Sequence, residues 1–379
     1  MQKRAALFGL AALGLTLDAL AANAQEHIET RHGAVTMPAQ PVAVEGGLTA
    51  VFQTATDKHI DSELVTSFDL VTTLPRGNGK WVVYVEGNTS PRTDGVSTLL
   101  GEANADAGSA LDRDGNGRLQ VSELHYFQPF ADGLLVSGLV DVTSTLDSSE
   151  VANDETHQFL SAPLVNNPTI DFPDYSLGVV YNRETGPDRG YSLALTSSHG
   201  LGDNSDASYA QLVDINAEGK GVFAAAEGQW PLATTRLHLG MWLNSAGHAR
   251  LDGGAGTEHN YGLYLGVDGR LGRGMWNLRV GLANDQVSPT SRFLSAAVER
   301  PLSQATLGLG LAYSGLSAQD TTAQQDNSLL AEAYLRFVPR NDVSLTPAVQ
   351  WLRNSGFDTS ATTVDNEQLL LSLRLNYTF

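Results

Sequence analysis

Long stretches of this chain alternate apolar and polar side chains with a period of two. Leu237, Leu239, Met241 and Leu243 face one way, and Arg236, His238, Trp242 and Asn244 face the other. Trp276, Leu278, Val280 and Leu282 alternate with Asn277, Arg279, Gly281 and Ala283. At the end of the chain, Leu369, Leu371, Leu373, Leu375, Tyr377 and Phe379 oppose Gln368, Ser372, Arg374, Asn376 and Thr378, with only Leu370 out of pattern. Side chains of a strand point alternately to its two faces, so each such run predicts a β-strand with two unlike faces. The pattern predicts sixteen strands, near 48–55, 62–73, 80–89, 121–130, 133–145, 175–183, 190–198, 220–229, 234–244, 259–269, 274–284, 292–300, 305–315, 327–338, 343–354 and 368–379.

The connections between these strands alternate in length. Short ones fall at Pro75–Gly79, Ala131–Asp132, Glu184–Arg189, Pro231–Ala233, Leu271–Arg273, Leu302–Gln304 and Pro339–Asp342. Most contain Pro, Gly, Asn or Asp, as tight turns require. The intervening ones are mostly longer and polar, notably 90–120, 146–174, 199–219 and 245–258. An even number of strands, turns at one rim, loops at the other and one apolar face together predict an all-β, transmembrane antiparallel β-barrel of sixteen strands. Small residues opposite the apolar face, such as Gly262, Gly266, Gly308 and Gly310, are expected to leave its interior open.

The N-terminus changes the compartment. Lys3 and Arg4 precede a short apolar run, Ala5 to Leu20, and then Ala22-Asn23-Ala24 before Gln25. That reads as a signal peptide over 1–24, followed by a periplasmic segment, 25–46, and the barrel, 47–379. No other stretch approaches the ~20 apolar residues of a spanning helix, so a membrane location requires a closed barrel. The formal charge of −19 argues against nucleic acid and suits cations or a pore that disfavours anions. The chain has no cysteine, so no disulfide staples it.

One segment carries metal chemistry. Asp112, Asp114 and Asn116 occupy positions one, three and five of an EF-hand-type loop, with Gly117 at six. Arg118 offers its carbonyl at seven, Gln120 takes position nine and Glu123 is the bidentate ligand at twelve. The spacing predicts a structural Ca2+ site within an external loop over 99–124, with an affinity on the order of 10⁻⁴ to 10⁻³ M. The flanks depart from the motif, since Gly101 and Gly108 weaken an entering helix and Leu124-His125-Tyr126-Phe127 reads as a strand.

Inward positions carry both charge signs. Arg236, Arg279, Arg336 and Arg374 are the basic pore-lining candidates, and Asp141, Asp268, Glu299 and Glu332 the acidic ones, with Asp69 and Glu86 beside them. Such groups tune selectivity or brace the wall as ion pairs. The segment 146–174 is apolar and Pro-marked, and is expected to be a constriction loop. No nucleophile motif accompanies the histidines, so an enzyme is not expected.

Two resemblances follow. The terminal Tyr377-Thr378-Phe379 resembles the signal read by the barrel-assembly machinery of outer membranes. The stretch from Gly133 to Asp141, through Asn153-Asp154-Glu155, Gln158-Phe159-Leu160 and Asn166-Asn167-Pro168 to Phe172-Pro173, resembles the carbohydrate-selective porins of the OprB type. That resemblance implies an outer-membrane barrel of a Gram-negative bacterium, set in lipid. It implies passive diffusion of small hydrophilic solutes, sugars among them, and a homotrimer. The other reading is a calcium-binding or adhesive surface barrel with a plugged lumen.

Overall fold

The computed structural model describes residues 41–203, 208–213, 220–320, 327–354 and 364–379. The predicted signal peptide, 1–24, and residues 25–40 of the predicted periplasmic segment lie outside the described residues.

Sixteen strands form one sheet: β1 (Ala43–Ala55), β2 (Glu63–Arg76), β3 (Gly79–Asn88), β4 (Leu119–Phe130), β5 (Gly133–Val140), β6 (Ser176–Gly186), β7 (Arg189–Ser197) and β8 (Val222–Leu232). They continue as β9 (Thr235–Ala249), β10 (Thr257–Leu271), β11 (Gly274–Ala283), β12 (Thr290–Pro301), β13 (Thr306–Leu316), β14 (Ser328–Arg340), β15 (Val343–Arg353) and β16 (Glu367–Thr378). Each strand pairs antiparallel with its chain neighbours, and β1 pairs with β16, so the barrel is closed. Closure removes the sheet edges that lipid cannot satisfy. At the seam Gly46 and Phe379 exchange backbone hydrogen bonds of 3.0 and 2.9 Å. A Cβ on Gly46 would lie 2.3 Å from the Phe379 ring, so the seam requires glycine there.

The period-two pattern sets the two faces. Along β16, Leu369, Leu371, Leu373 and Leu375 are exposed on the outside, while Gln368, Ser372, Arg374 and Asn376 are buried inside. Trp81 and Tyr126 pack at 5.1 Å near the short-turn rim, where an aromatic belt is expected. Among the described residues, no helix is long and apolar enough to cross a membrane.

Two boundaries differ from the sequence reading. β1 begins at Ala43, before the expected barrel start at residue 47, because Ala43–Glu45 pair with Val71–Thr73 of β2. β5 ends at Val140, five residues short of the expected 145. Asp141 ends it: its carboxylate accepts the backbone N–H of Thr143 at 2.9 Å, and Leu146 N–H then bonds Val142 O at 3.1 Å in a helical turn. β4 therefore stands above its partner, since its pairing with β5 starts only at Leu124. Tyr209, on the short helix α1 (Tyr209–Leu212), covers that open edge from outside the wall. Its hydroxyl accepts Val121 N–H at 2.7 Å and donates to Val121 O at 3.0 Å. Leu201 and Leu212 bury Leu139 beside it.

The turn rim holds three non-glycine residues in the left-handed region, Ala131, Asp188 and Ala233, at φ 52°, 52° and 56°. Aspartate tolerates that region better than alanine does. A left-handed backbone costs a non-glycine residue roughly 1–2 kcal/mol. Ala131→Gly and Ala233→Gly should each stabilise the barrel by about 1 kcal/mol, less the entropy that glycine loses on folding. Equilibrium unfolding in urea from a common detergent checks this, and a lower midpoint for both variants would contradict it.

Candidate functional site

Two long loops turn into the barrel and fill much of it. The first, between β3 and β4, buries Val96, Leu99, Leu100 and Ala103. The second, between β5 and β6, buries Val151, Ala152, Phe159 and Leu164 against them. Together they pack on Ala297, Ala312, Leu330 and Tyr334 of the β12–β14 wall. The lumen thus contains an apolar core of its own. The wall glycines serve it: a Cβ on Gly310 would meet Leu164 at 2.5 Å and Phe159 at 2.8 Å, and one on Gly281 would meet Thr169 Oγ1 at 2.0 Å. The expectation that small inward residues leave the interior open is corrected here: loop side chains fill the space over Gly310, and the wall's own Tyr334 and Trp242 fill that over Gly308 and Gly262.

Charged wall residues hold the second loop by its backbone. Arg279 donates to Leu164 O at 2.6 Å, Ala152 O at 2.9 Å and Val165 O at 3.1 Å, and pairs with Asp147 at 3.0 Å. Glu332 accepts the N–H groups of Leu160 and Ser161, both at 2.9 Å. Arg374 donates to Gln158 O at 2.8 Å and to Glu155 O. Arg336 donates to His157 O and pairs with Glu299 at 3.0 Å. Asp268 accepts from Ser149 Oγ at 2.8 Å, and Arg236 lies 3.3 Å from Glu150. Of the eight pore-lining candidates, six therefore bind the loop directly and Glu299 does so through Arg336. Asp141 stands apart, in the loop itself and on the open side.

The open side is acidic. A cavity of about 270 Å³ lies between the inserted loops and the β2–β5 wall. Asp69, Glu86 and Glu123 reach it from strands, and Asp106, Asp141, Glu155 and Asp174 from loops. Among the described residues its lining contains no lysine, arginine or histidine. Tyr84 and Tyr175 add two rings, 6.4 Å apart edge to face. The lumen is thus split: basic groups face the loop on one wall, and acidic groups face the space on the other, where Glu123 lies 3.3 Å from His125. The sequence reading named Asp141, Asp69 and Glu86 for this face but missed Asp106, Glu155 and Asp174. Their signal was weak, because loop residues carry no period that shows which way they point.

The six expected calcium ligands do not converge. Asp112 to Asn116 form a tight turn, with Asp112 N–H on Asn116 O at 2.8 Å and Gly115 N–H on Asp112 O at 3.0 Å. The left-handed glycine is Gly115, at φ 78°, not Gly117 at the sixth position. Gly117 is needed for a different reason: a Cβ there would lie 1.9 Å from Asn88 O. From Leu119 the chain is already strand β4, paired with Gly87. Gln120 then turns inward to Ser122 at 3.0 Å and to the Arg118 guanidinium at 2.6 Å. Glu123 accepts Asp141 N–H at 3.2 Å, inside the barrel. Strand pairing has claimed the second half of the motif, so these residues do not fit an EF-hand calcium site. Among the described residues no three His, Asp or Glu side chains are grouped as a metal ion requires.

The loop carboxyls are perturbed. Burial first, and the charge of Glu86 next, push Asp106 up to about 6 against the Ser67 hydrogen bond. Burial, then Glu123, push Asp141 up to about 7. Burial, then Asp154 and Asp106, hold Glu155 well above the usual carboxylate range.

The chain matches no family model. Over 46 residues it is 48% identical to an uncharacterized protein of Aquifex aeolicus, a match covering 12% of this chain and 15% of that protein's length. The fold is similar to OprB of Pseudomonas putida, with a TM-score of 0.69 at 10% identity, covering 89% of this chain and 94% of that one. An engineered porin of Rh. blastica gives 0.53 at 10% identity, covering 89% and 100%. OmpT of Vibrio cholerae, an outer membrane protein in its trimer form, gives 0.53 at 11% identity, covering 89% and 99%. The fold is that of the sixteen-stranded porin barrels.

Two outcomes follow from this geometry. Arg279→Met leaves Asp147 buried without its partner, a loss of roughly 3–5 kcal/mol at that contact. Loop 141–175 should become cleavable by protease while the barrel stays intact, and equal resistance in variant and parent would count against the latch. Asp106 and Asp141 ionise near 4 when unfolded but only near 6 and 7 here, so their protonated forms favour the packed loops. That stabilisation is complete below their unfolded values and is lost as pH rises through 6 to 7. Amide exchange in 141–146, corrected for intrinsic rate, should be slower at mildly acid pH than at mildly alkaline pH. The reverse order would contradict it.

Proposed function

We propose that this chain is a constricted porin of the outer membrane, passing small hydrophilic solutes by diffusion. The polar cavity inside a closed barrel with an apolar outer face carries this reading. The outside matches lipid, and the cavity offers a wetted route that only small solutes fit. The inserted loops narrow the lumen, and their latches on Arg279, Glu332 and Arg374 fix the size of what remains. Residence in the outer membrane of a Gram-negative bacterium, insertion by the barrel-assembly machinery and a trimeric state belong to the same reading. Sugars are the finer reading, supported by the sequence resemblance over the inserted loop and by Tyr84 and Tyr175 beside polar groups.

A second reading has one specific observation in its favour. The apolar core inside the lumen suits a plugged surface barrel, the form that adhesive barrels would take. Its calcium-binding element is not carried forward, because the ligands do not converge. Single-channel recording of the refolded chain in a planar bilayer separates the two readings. The porin reading expects small, stable conductance steps, and larger, noisier steps from Glu332→Ala, which loses the clamp on Leu160 and Ser161. Silence from a correctly folded barrel would favour the plug.

A further inference from the structure

We propose that the turn rim carries a docking site for the headgroups of anionic phospholipids, centred on the outer face of the β6–β7 hairpin. The proposal needs the barrel to sit in a bilayer and does not need it to conduct.

Period two puts Arg76, Arg183, Arg189 and Arg300 on the lipid side of the wall. On β2, Arg76 continues the outward row of Leu64 and Leu74, and on β6, Arg183 continues that of Val179 and Tyr181. On β7, Arg189 begins the row of Tyr191, Leu193 and Leu195, and on β12, Arg300 ends that of Leu294 and Val298. Aromatic rings set the depth of these arginines. Arg183 and Arg189 stand two residues nearer the rim than Tyr181 and Tyr191, about 7 Å along the strand. Leu74 pairs with Trp81 and Val298 with Trp276, so Arg76 and Arg300 stand equally far beyond those rings. Belt aromatics sit at the membrane–water interface, which puts the guanidinium groups among the lipid phosphates. A partner outside the bilayer would be met by the turn tips rather than by the lipid face.

Most of this charge is free to meet a ligand. Among the described residues, no carboxylate pairs with Arg76, Arg189 or Arg300. Arg183 pairs with Asp132 at 2.9 Å, and Asp188 adjoins Arg189 in the turn, so the hairpin is not purely basic. In a chain of formal charge −19, arginines at this depth do not follow from composition. The β6–β7 hairpin gathers two of them. Arg183 pairs in register with Tyr191, the rings of Tyr181 and Tyr191 lie 6.1 Å apart, and Phe130 meets Tyr181 edge to face at 6.2 Å. These packed rings hold the two arginines on a stiff platform. A guanidinium presents a planar fork that matches the oxygens of a phosphate. Net charge then selects the headgroup: phosphatidylglycerol brings an uncompensated phosphate, whereas phosphatidylcholine brings its own cation.

The test is native mass spectrometry of the refolded full chain in detergent, titrated with phosphatidylglycerol and, separately, with phosphatidylcholine. The first phosphatidylglycerol should bind more tightly than the first phosphatidylcholine. Arg183→Gln combined with Arg189→Gln should weaken it roughly fivefold or more and leave phosphatidylcholine unchanged. Asp132→Asn frees Arg183 and should strengthen it, an effect of opposite sign that misfolding cannot imitate. Arg292, exposed on β12 at the loop end, is the control, and Arg292→Gln should change nothing. Folding of each variant is checked by heat-modifiable migration in SDS. Equal affinity of the parent for the two lipids would overturn the proposal, as would undiminished phosphatidylglycerol binding by the double variant or an equal loss in Arg292→Gln. Parity of the lipids with binding of cell-wall fragments would assign the rim to that partner instead. Silence in bilayer recordings would sink the porin reading and leave this site standing.

Discussion

Arg279, Glu332 and Arg374 bind the backbone of a loop rather than one another, and the interior depends on that choice. A buried charge needs partners, or it costs several kcal/mol. A loop drawn into a barrel has the matching need, because its peptide groups have left water and have no ladder to join. Each need is met by the other. Leu160 and Ser161 give their N–H groups to one carboxylate, while Ala152, Leu164 and Val165 give their carbonyls to one guanidinium. Once these bonds fix the loop, Phe159 and Leu164 fall into the hollows over Gly310, and the apolar core of the lumen follows.

The division of the lumen has the same origin. Basic residues concentrate on the wall that the loop covers, so they are consumed by it. The loop's far side and the β2–β5 wall line the cavity with acidic groups and, among the described lining residues, no basic one. A chain of overall negative charge could have spread that charge over its rim. Here several of the acidic groups are gathered inside, where the dielectric is lower and burial raises their hold on a proton.

The strands were legible because a wall with lipid on one side and polar groups on the other must alternate at every residue. Leu369 to Phe379 and Leu237 to Leu243 show this without help from context. Even the loop's apolar character was visible in Phe159, Leu160 and Val165. Its anchor points were not, since they join residues more than a hundred positions apart, as Arg279 and Leu164 are. Local pattern misled in two places. Val142 and Leu146 extend the look of β5, but Asp141 caps a turn before them. The spacing from Asp112 to Glu123 satisfied a metal-binding pattern, while pairing of Leu119 with Gly87 had already committed its second half to the wall.

The contact between Tyr209 and Val121 concerns what this barrel avoids. Where β5 turns inward, β4 presents backbone donors and acceptors to the outside near the loop rim. Bare strand edges are templates: another chain's extended segment can add to them, and aggregation begins there. One phenol, held by α1 and backed by Leu212 against Leu139, occupies both hydrogen-bonding groups of Val121. Bringing a loop into the lumen opened a gap in the sheet, and a residue from the next long loop seals it against self-association.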